Sequence, residues 1–117
     1  RGILEGVIDS AMDVLSDVTV GPFRAVVGPC INACCYAFGA DDLERVVAHL
    51  GDGVEGKTRT GHPALDLPAA VSATLRGVGV VESELDGTCT SCDDGYWSYR
   101  ATGTRERHAM AAWLEPA

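Results

Sequence analysis

The first third of the chain places apolar residues at helical spacing and then in a short β-branched run. Within residues 2–17, apolar residues follow Leu4 at three, four, seven and eleven positions further along, which predicts an amphipathic helix. The stripe consists of Leu4, Val7, Ile8, Ala11 and Leu15. After the turn signal at 21–22, residues 23–27 predict a strand that Gly28-Pro29 ends. Residues 30–38 carry no charge, so we expect them to be buried, as a strand or as irregular backbone.

Two further helices are predicted in the middle of the chain. The first begins at Asp41 or Asp42, where Asp41 with Glu44 resembles a capping box, and it ends at Gly51. Its apolar stripe is Leu43, Val46, Val47 and Leu50. Residues 51–62 are polar and predict a loop. Asp66 then caps a helix with Pro68 in its first turn and an apolar stripe at Leu67, Val71, Leu75 and Val78.

The last third predicts strands separated by a long loop. Residues 80–85 alternate between apolar or small and acidic side chains, which predicts a half-exposed strand. Residues 89–107 have the composition of a loop, within which 96–99 could form a strand. The apolar run 108–114 predicts a strand that is buried on both faces. Together the elements predict a layered α/β fold. With only three or four strands, we expect residues outside this chain to complete the sheet.

Composition narrows the class of protein. The 117 residues carry 9 Lys and Arg against 17 Asp and Glu, a net charge of −8, which argues against a nucleic-acid partner or an anionic membrane. The longest uncharged stretch, 25–40, is too short and too rich in turn residues for a membrane helix. No secretory signal is visible. Five cysteines cannot all pair internally, so we expect free thiols and a cytoplasmic protein.

An acidic stripe runs along the first predicted helix. Its members are Glu5, Asp9, Asp13 and Asp17, each four residues from the next. Such a stripe can bind a divalent cation, but a solvated helix face is the interpretation we prefer.

The cysteines allow three kinds of chemistry. Cys89-Thr90-Ser91-Cys92 is a C-x-x-C pair that can share a zinc ion or form a redox couple. Zinc would need two more ligands from Cys30, Cys34 and Cys35. Cys30, after the turn at Gly28-Pro29, could instead be a nucleophile with a histidine base. The candidate bases are His49, His62 and His108. Ordinary half-buried thiols are the alternative we favour.

The segment from Tyr96 to Arg100 combines three aromatic rings with an arginine, and Arg105 and Arg107 follow. Rings can stack on a planar base, and a guanidinium can grip phosphate or carboxylate. The alternative is an aromatic patch packed on the core with its arginines paired to surplus acids. From the residues alone, we hold the two interpretations equal.

Several segments, in this order, resemble the YfiH-type laccase-domain family, described as polyphenol oxidases and purine nucleoside phosphorylases. The first is Val27-Gly28-Pro29-Cys30-Ile31, with Cys34-Cys35-Tyr36 and Gly39 after it. Ala64-Leu65-Asp66-Leu67 is similar to the family's helix entry. Cys89-Thr90, Ser98-Tyr99-Arg100, Arg107 and Trp113-Leu114 continue the match. Arg1-Gly2 resembles the end of the family's H-A-G-W-R-G motif, so residues 1–117 are similar to the C-terminal part of a single laccase domain.

This resemblance implies a fold and an activity. The fold would be a layered α/β sandwich with mixed sheets, here a partial domain. The activity would be metal-dependent phosphorolysis of adenosine, inosine and guanosine, with adenosine deamination and phenol oxidation beside it. The family's metal is expected to be zinc or copper, held by two histidines and a cysteine that would precede Arg1. The chain alone is therefore expected to be inactive.

The resemblance also suggests site residues and partners. We expect Arg1, Arg100 and Arg107 to contact phosphate or substrate and Tyr99 to line the pocket, because the arginine fork grips phosphate at two points. The expected partners are a purine nucleoside and phosphate, with a homodimer also open. The alternative function is a small non-catalytic domain that has a structural cysteine-bound zinc or serves in dimerisation.

Overall fold

The computed structural model describes residues 1–113 and 115–116, and within them it contains helices and small mixed sheets. The helices are α1 (Val7–Val18), α2 (Ala40–Leu50), α3 (Leu67–Gly77) and α4 (Tyr99–Thr102). The strands are β1 (Arg24–Val27), β2 (Glu55–Lys57), β3 (Pro63–Leu65) and β4 (Glu82–Leu85). Short 3-10 helices cover Ala33–Cys35 and Asp52–Val54. In this part of the chain, no helix has both the length and the apolar character needed to cross a bilayer.

Two separate two-stranded sheets form among the described residues. β1 and β4 pair in parallel with Arg24 opposite Glu82, and β2 and β3 pair antiparallel with Gly56 opposite Ala64. Beyond the strands, Cys30 bridges to Cys89 and Ala37 bridges to Ala64. These sheets, with the helices between them, confirm the predicted α/β class and fit a partial domain.

The core lies between α2, α3 and the β2–β3 hairpin. Its buried members are Leu43, Val46, Val54, Leu65 and Ala70, and Val54 is 1% exposed. Ile3, Leu4, Tyr36, Phe38, Val47 and Leu50 pack against them. The stripe predicted for α2 is thus confirmed as the inward face of that helix. This core holds residues 33–37 and the hairpin in place, and both segments contribute to the candidate site.

A side chain caps the N-terminus of α3, whereas no side chain caps that of α2. Asp66 Oδ1 accepts a hydrogen bond from the Ala69 amide at 3.0 Å, and Pro68 lies in the first turn, as predicted. The capping box predicted at Asp41 is wrong, because α2 begins one residue earlier with Gly39 at the N-cap and no side-chain cap. Asp41 instead lies in the first turn, where its charge complements the helix dipole.

The first helix is shorter than predicted. It begins at Val7 rather than residue 2, because Gly6 has φ of +78°, a left-handed conformation that ends the preceding turns. Within the described chain α1 has no buried residue, and Val14 and Val18 are exposed. The acidic stripe is exposed as well, in agreement with a solvated face.

Several strand predictions need correction. The predicted loop 51–62 contains a 3-10 helix and β2, whose short, glycine-bearing sequence hides its pairing with β3. β4 forms, but all four of its residues are exposed, because its described contacts are made along the edge shared with β1. The segment 96–99 is not a strand and leads into α4 instead. Residues 108–113 are exposed and irregular rather than a buried strand, and Leu114 lies outside the described residues.

Candidate functional site

Four of the five cysteines meet where two distant segments pair. Hydrogen bonds from the Cys30 amide to the Thr88 carbonyl (3.3 Å) and from the Thr90 amide to the Cys30 carbonyl (3.1 Å) fix the C-x-x-C loop beside residues 30–35. The 3-10 helix that follows Asn32 presents Cys34 and Cys35 to this loop. The sulfurs of Cys34, Cys35, Cys89 and Cys92 consequently lie within 4.8 Å of one another.

Four of the sulfur–sulfur distances within this four-cysteine cluster lie between 3.4 and 3.8 Å. Cys34 Sγ lies 3.8 Å from Cys35 Sγ, 3.8 Å from Cys89 Sγ and 3.6 Å from Cys92 Sγ. Cys35 Sγ lies 3.4 Å from Cys92 Sγ. All five cysteines of the chain are free thiols. Four sulfurs at this spacing can bind one metal ion.

An arginine from the hairpin loop reaches the cluster. Arg59 Nη2 donates to Cys35 Sγ at 3.1 Å and to Cys92 Sγ at 3.3 Å. The Arg59 amide also donates to the Cys34 carbonyl oxygen at 3.1 Å, which fixes the β2–β3 loop against the 3-10 helix. From the other side, the Asn32 amide donates to Cys89 Sγ at 3.3 Å. These donors favour the thiolate form of the sulfurs they reach.

The four thiols have divergent acidities. Burial raises the pKa of Cys89, but hydrogen bonds from the Asn32 and Ser91 backbone outweigh it and lower the pKa to about 7. Burial likewise opposes the lowering at Cys35, where the hydrogen bond from Arg59 prevails and the pKa falls below its usual value. Hydrogen bonding to Cys35 and Cys89 raises the pKa of Cys92 to about 12. Burial also raises the pKa of Cys34, so Cys89 and Cys35 are the two thiols of the cluster that ionise most readily.

The remaining cysteine is not part of the cluster. Cys30 shares in the backbone bridge, and burial raises the pKa of its thiol. Among the described residues, no histidine joins a metal-binding group. His62 Nδ1 is hydrogen bonded to Thr60 Oγ1 at 2.8 Å, and His108 Nε2 to the Trp97 carbonyl oxygen at 2.7 Å. The described residues therefore bring together neither the Cys30–histidine pair nor a set of two histidines and one cysteine.

A cavity of about 1030 Å³ opens beside the core, between the N-terminal turns and α2. Arg1, Tyr36, Phe38 and Arg45 are among the residues that line it. The Tyr36 and Phe38 rings meet edge to face at 5.3 Å between centroids. The Arg1 guanidinium pairs with Glu5 at 2.7 Å, in solvent. Glu5 and Asp42 line the cavity too, and Asp42 lies 3.6 Å from Arg45. The cavity thus combines apolar and aromatic walls with two arginine–carboxylate pairs, and its volume is near the upper end for small-molecule sites.

The second predicted arginine, Arg100, is not among the residues that line this cavity, but it contacts one of them. The Arg100 guanidinium carbon is 4.8 Å from the centre of the Tyr36 ring, a cation–π contact. Its Nη1 donates to the Ala37 carbonyl oxygen at 3.0 Å. Tyr36 thus contacts Arg100 and also lines the cavity with Arg1, so this one ring is the link between the two predicted arginines.

The other two predicted site residues lie apart from the lining of the cavity. Tyr99 begins α4 and is 67% exposed. Arg107 donates to the carbonyl oxygens of Arg105 (2.6 Å) and Glu106 (2.9 Å) in an exposed segment. The Trp97 and His108 rings stack at 5.3 Å. The aromatic segment therefore folds on itself, with Trp97 54% exposed.

The sequence did not indicate Arg59 or Tyr36 as site residues. Arg59 lies in a loop with a small excess of positive charge, Lys57, Arg59 and His62, which was the available signal. Tyr36 belongs to the Cys34-Cys35-Tyr36 segment that carries part of the family resemblance, but nothing in that segment indicates a role in a site. Both are brought to their sites by pairings between distant segments.

Comparison with known proteins gives a consistent picture. A model of the family described as "Multi-copper polyphenol oxidoreductase laccase" matches residues 1–115. The chain is 30% identical over 116 residues to a purine nucleoside phosphorylase of Streptomyces coelicolor, covering 97% of this chain and 48% of that protein. It is also 30% identical over 116 residues to one of Mycobacterium tuberculosis, at 97% and 46% coverage. A Corynebacterium glutamicum protein of the same description is 26% identical over 115 residues, at 97% and 46%.

The chain spans about half the length of the curated relatives it matches. No solved structure matches it significantly.

Proposed function

The chain belongs to the multi-copper polyphenol oxidoreductase laccase family, and on that premise we propose that it supplies the C-terminal part of a purine nucleoside phosphorylase. Residues 1–117 would form one portion of a single laccase domain. In the whole enzyme, a phosphate oxygen attacks the anomeric carbon of the ribose. The glycosidic C–N bond breaks, and the purine leaves with its electron pair and takes up a proton. The substrates we propose are adenosine, inosine and guanosine, in the cytoplasm.

The observation that carries this proposal is the cavity that Arg1 and Tyr36 line, with Arg100 over the Tyr36 ring. A purine is flat and aromatic, so ring faces and apolar walls suit it. Phosphate is doubly charged near neutral pH and suits guanidinium groups. The Arg1–Glu5 pair is exposed, so it contributes little stability and can give way to a phosphate group.

Each of the four predicted residues has a proposed place in this reaction. Arg100 donates one N–H to the Ala37 carbonyl oxygen, and a guanidinium has five such donors in total, so it can be held and still bind phosphate. Arg1 would bind phosphate from the N-terminal turns that line the cavity. Tyr99 and Arg107 are proposed to contact substrate from the segment around α4. The described residues do not form the family's two-histidine, one-cysteine metal set, so we derive no step from that metal.

The apolar surface of the described chain supports the proposal of a companion segment. β1 and β4 form a parallel pair, and parallel sheets are normally covered on both faces. Here Val26 is 63% exposed, Val81 80% and Leu85 49%. Because the relatives are about twice as long, we propose that the other half of the laccase domain covers this surface. A second copy of the chain is the alternative.

The test uses the chain extended through the sequence encoded immediately upstream of Arg1. We expect the extended protein to convert inosine and phosphate into products and the 117-residue chain to be inactive. Arg100→Gln should raise the KM for phosphate about 10- to 100-fold, which corresponds to a lost hydrogen bond to a charged group. Arg76→Gln, in the last turn of α3, is the matched control and should leave the KM unchanged.

Some results of that assay would contradict the proposal. A folded extended protein without phosphorolysis would do so, as would equal effects of the Arg100 and Arg76 substitutions. Adenosine deamination and phenol oxidation, measured on the same samples, test the further activities that the family resemblance suggests.

A further inference from the structure

We propose that Cys34, Cys35, Cys89 and Cys92 bind one Zn²⁺ ion as a closed tetrathiolate site that joins two distant segments of the chain. This site is separate from the cavity proposed for the nucleoside and from the family's histidine-containing metal set. Four protein ligands leave no open coordination position, so its role would be structural rather than catalytic.

The first argument is geometric. A Zn–S bond of about 2.3 Å in a regular tetrahedron sets the sulfur–sulfur edges at about 3.8 Å. Four of the six sulfur–sulfur edges are 3.8, 3.8, 3.6 and 3.4 Å, and all four sulfurs lie within 4.8 Å of one another. Disulfides would instead divide the sulfurs into pairs about 2.05 Å apart. Cys34 Sγ has three sulfur neighbours at nearly the same distance, which fits four-way convergence better than pairing.

The second argument is the set of donors around the sulfurs. Four thiolates and one Zn²⁺ ion leave a local charge of about −2, which needs compensation in a chain that is already acidic. Arg59 donates to the sulfurs of two different ligands, Cys35 and Cys92, at 3.1 and 3.3 Å. The Asn32 amide donates to Cys89 Sγ at 3.3 Å. Such outer-shell donors orient and stabilise metal ligands.

The third argument is the place of the cluster in the fold. The buried core is formed by α2, α3 and the hairpin, and it does not include the segment 88–113. In the described chain, that segment has three buried residues, Cys89, Thr90 and Ser98. A metal bridge from Cys34 to Cys92 closes a loop of 58 residues. Zinc would therefore fix the C-terminal segment where hydrophobic burial is small. On binding, the remaining thiol protons are released to solvent.

The primary test is the metal content of the chain as purified. The chain is produced in zinc-supplemented medium, desalted and analysed by inductively coupled plasma mass spectrometry. We expect about one zinc per chain, as a single four-cysteine site requires. Replacement by Co²⁺ should give the thiolate-to-cobalt charge-transfer and visible bands of a tetrahedral sulfur site. Neither measurement depends on the folding of a variant or on enzymatic activity, so failure here and failure of the phosphorolysis proposal are distinguishable.

Variants then identify the ligands. Cys34→Ser and Cys92→Ser should lose zinc, whereas Cys30→Ser, the same change at the thiol outside the cluster, should retain it. Arg59→Met should lower zinc affinity in chelator competition by about 10- to 100-fold, the usual effect of removing an outer-shell partner. Lys57→Met, two residues earlier in the same hairpin, is its control. Circular dichroism verifies the fold of each variant.

Four results would overturn the proposal. The first is wild-type chain with little or no bound zinc after purification under reducing conditions. The second is equal zinc in the wild type and in Cys34→Ser. The third is loss of zinc in Cys30→Ser with its fold intact. The fourth is iron or copper at full occupancy, which would overturn the assignment of the ion.

Discussion

Gly56 lies against the segment that carries two of the four clustered cysteines, so we expect a larger residue at this position to destabilise the protein. A Cβ atom added at Gly56 would lie 2.7 Å from the Ala33 Cβ atom. Carbon atoms in contact are normally at least about 3.5 Å apart, so the two backbones would have to separate by about 0.8 Å. Both Cβ atoms are bonded directly to the backbone, so no side-chain rotation can relieve the contact.

The cost of Gly56→Ala follows from what must move. β2 is paired with β3 at Gly56 and Ala64, and Ala64 is fully buried, so the hairpin has little room to retreat. Overpacking of this kind costs about 1–3 kcal/mol of the free energy of unfolding. At about 4 °C per kcal/mol for a domain of this size, the melting temperature should fall by about 4–12 °C. Movement of the 3-10 helix would also displace Cys34 and Cys35, so zinc affinity should fall as well.

The assay is urea unfolding followed by circular dichroism, together with chelator competition for zinc. Gly53→Ala is the matched control, because a Cβ atom there meets nothing within 4 Å. Adding Ala33→Gly to Gly56→Ala removes the clash, so the double variant should be more stable than the sum of the single changes predicts. Unchanged stability in Gly56→Ala, or no positive coupling with Ala33→Gly, would refute this packing.

Three further outcomes are expected. Asp66→Ala should lower the free energy of unfolding by about 1 kcal/mol, because the Ala69 amide loses its hydrogen-bond acceptor. Asp94→Ala, in an exposed turn, is the control and should not lower it. Equal losses of stability in thermal melts of the two variants would contradict the role of Asp66 as a helix cap. Bound zinc should be released as the pH falls below about 5, because protons compete with zinc for the thiolates. A metallochromic dye detects the released zinc. Zinc that stays bound in acid would contradict thiolate ligation. The 117-residue chain should self-associate in sedimentation experiments, because Val26 and Leu85 are exposed on the β1–β4 pair. The double variant Val26→Lys with Leu85→Lys should associate less. A monomeric wild-type chain would contradict this expectation.

Local signals in the sequence predicted the parts of the fold that depend on neighbouring residues. Asp66 and Pro68 lie within the first turn of α3, and their role in starting that helix is confirmed. The apolar stripe of α2 was also predicted from local spacing, because Leu43 and Val46 recur at helical intervals. Both residues are buried in the structure. The family resemblance, carried by ordered short motifs, is confirmed by the match over residues 1–115.

Features set by distant pairing could not be predicted in the same way. The C-x-x-C pair was visible, but its partners Cys34 and Cys35 are selected by the bridge between Cys30 and Cys89, a contact across the chain. The alternation in 80–85 predicted a buried face for β4, yet which face is covered depends on neighbours that the pattern does not specify. The strand predicted from the apolar run that includes 108–113 was wrong. A strand needs a pairing partner, and among the described residues this segment pairs with none.

Our proposal that this chain supplies the C-terminal part of a purine nucleoside phosphorylase can be tested by the products of inosine cleavage. The protein extended upstream of Arg1 is incubated with inosine, with and without phosphate, and hypoxanthine and ribose 1-phosphate are quantified together. We expect equal amounts of the two products, formed only when phosphate is present. Hypoxanthine released without phosphate, or released with free ribose instead of ribose 1-phosphate, would show hydrolysis and rule out phosphorolysis as the reaction.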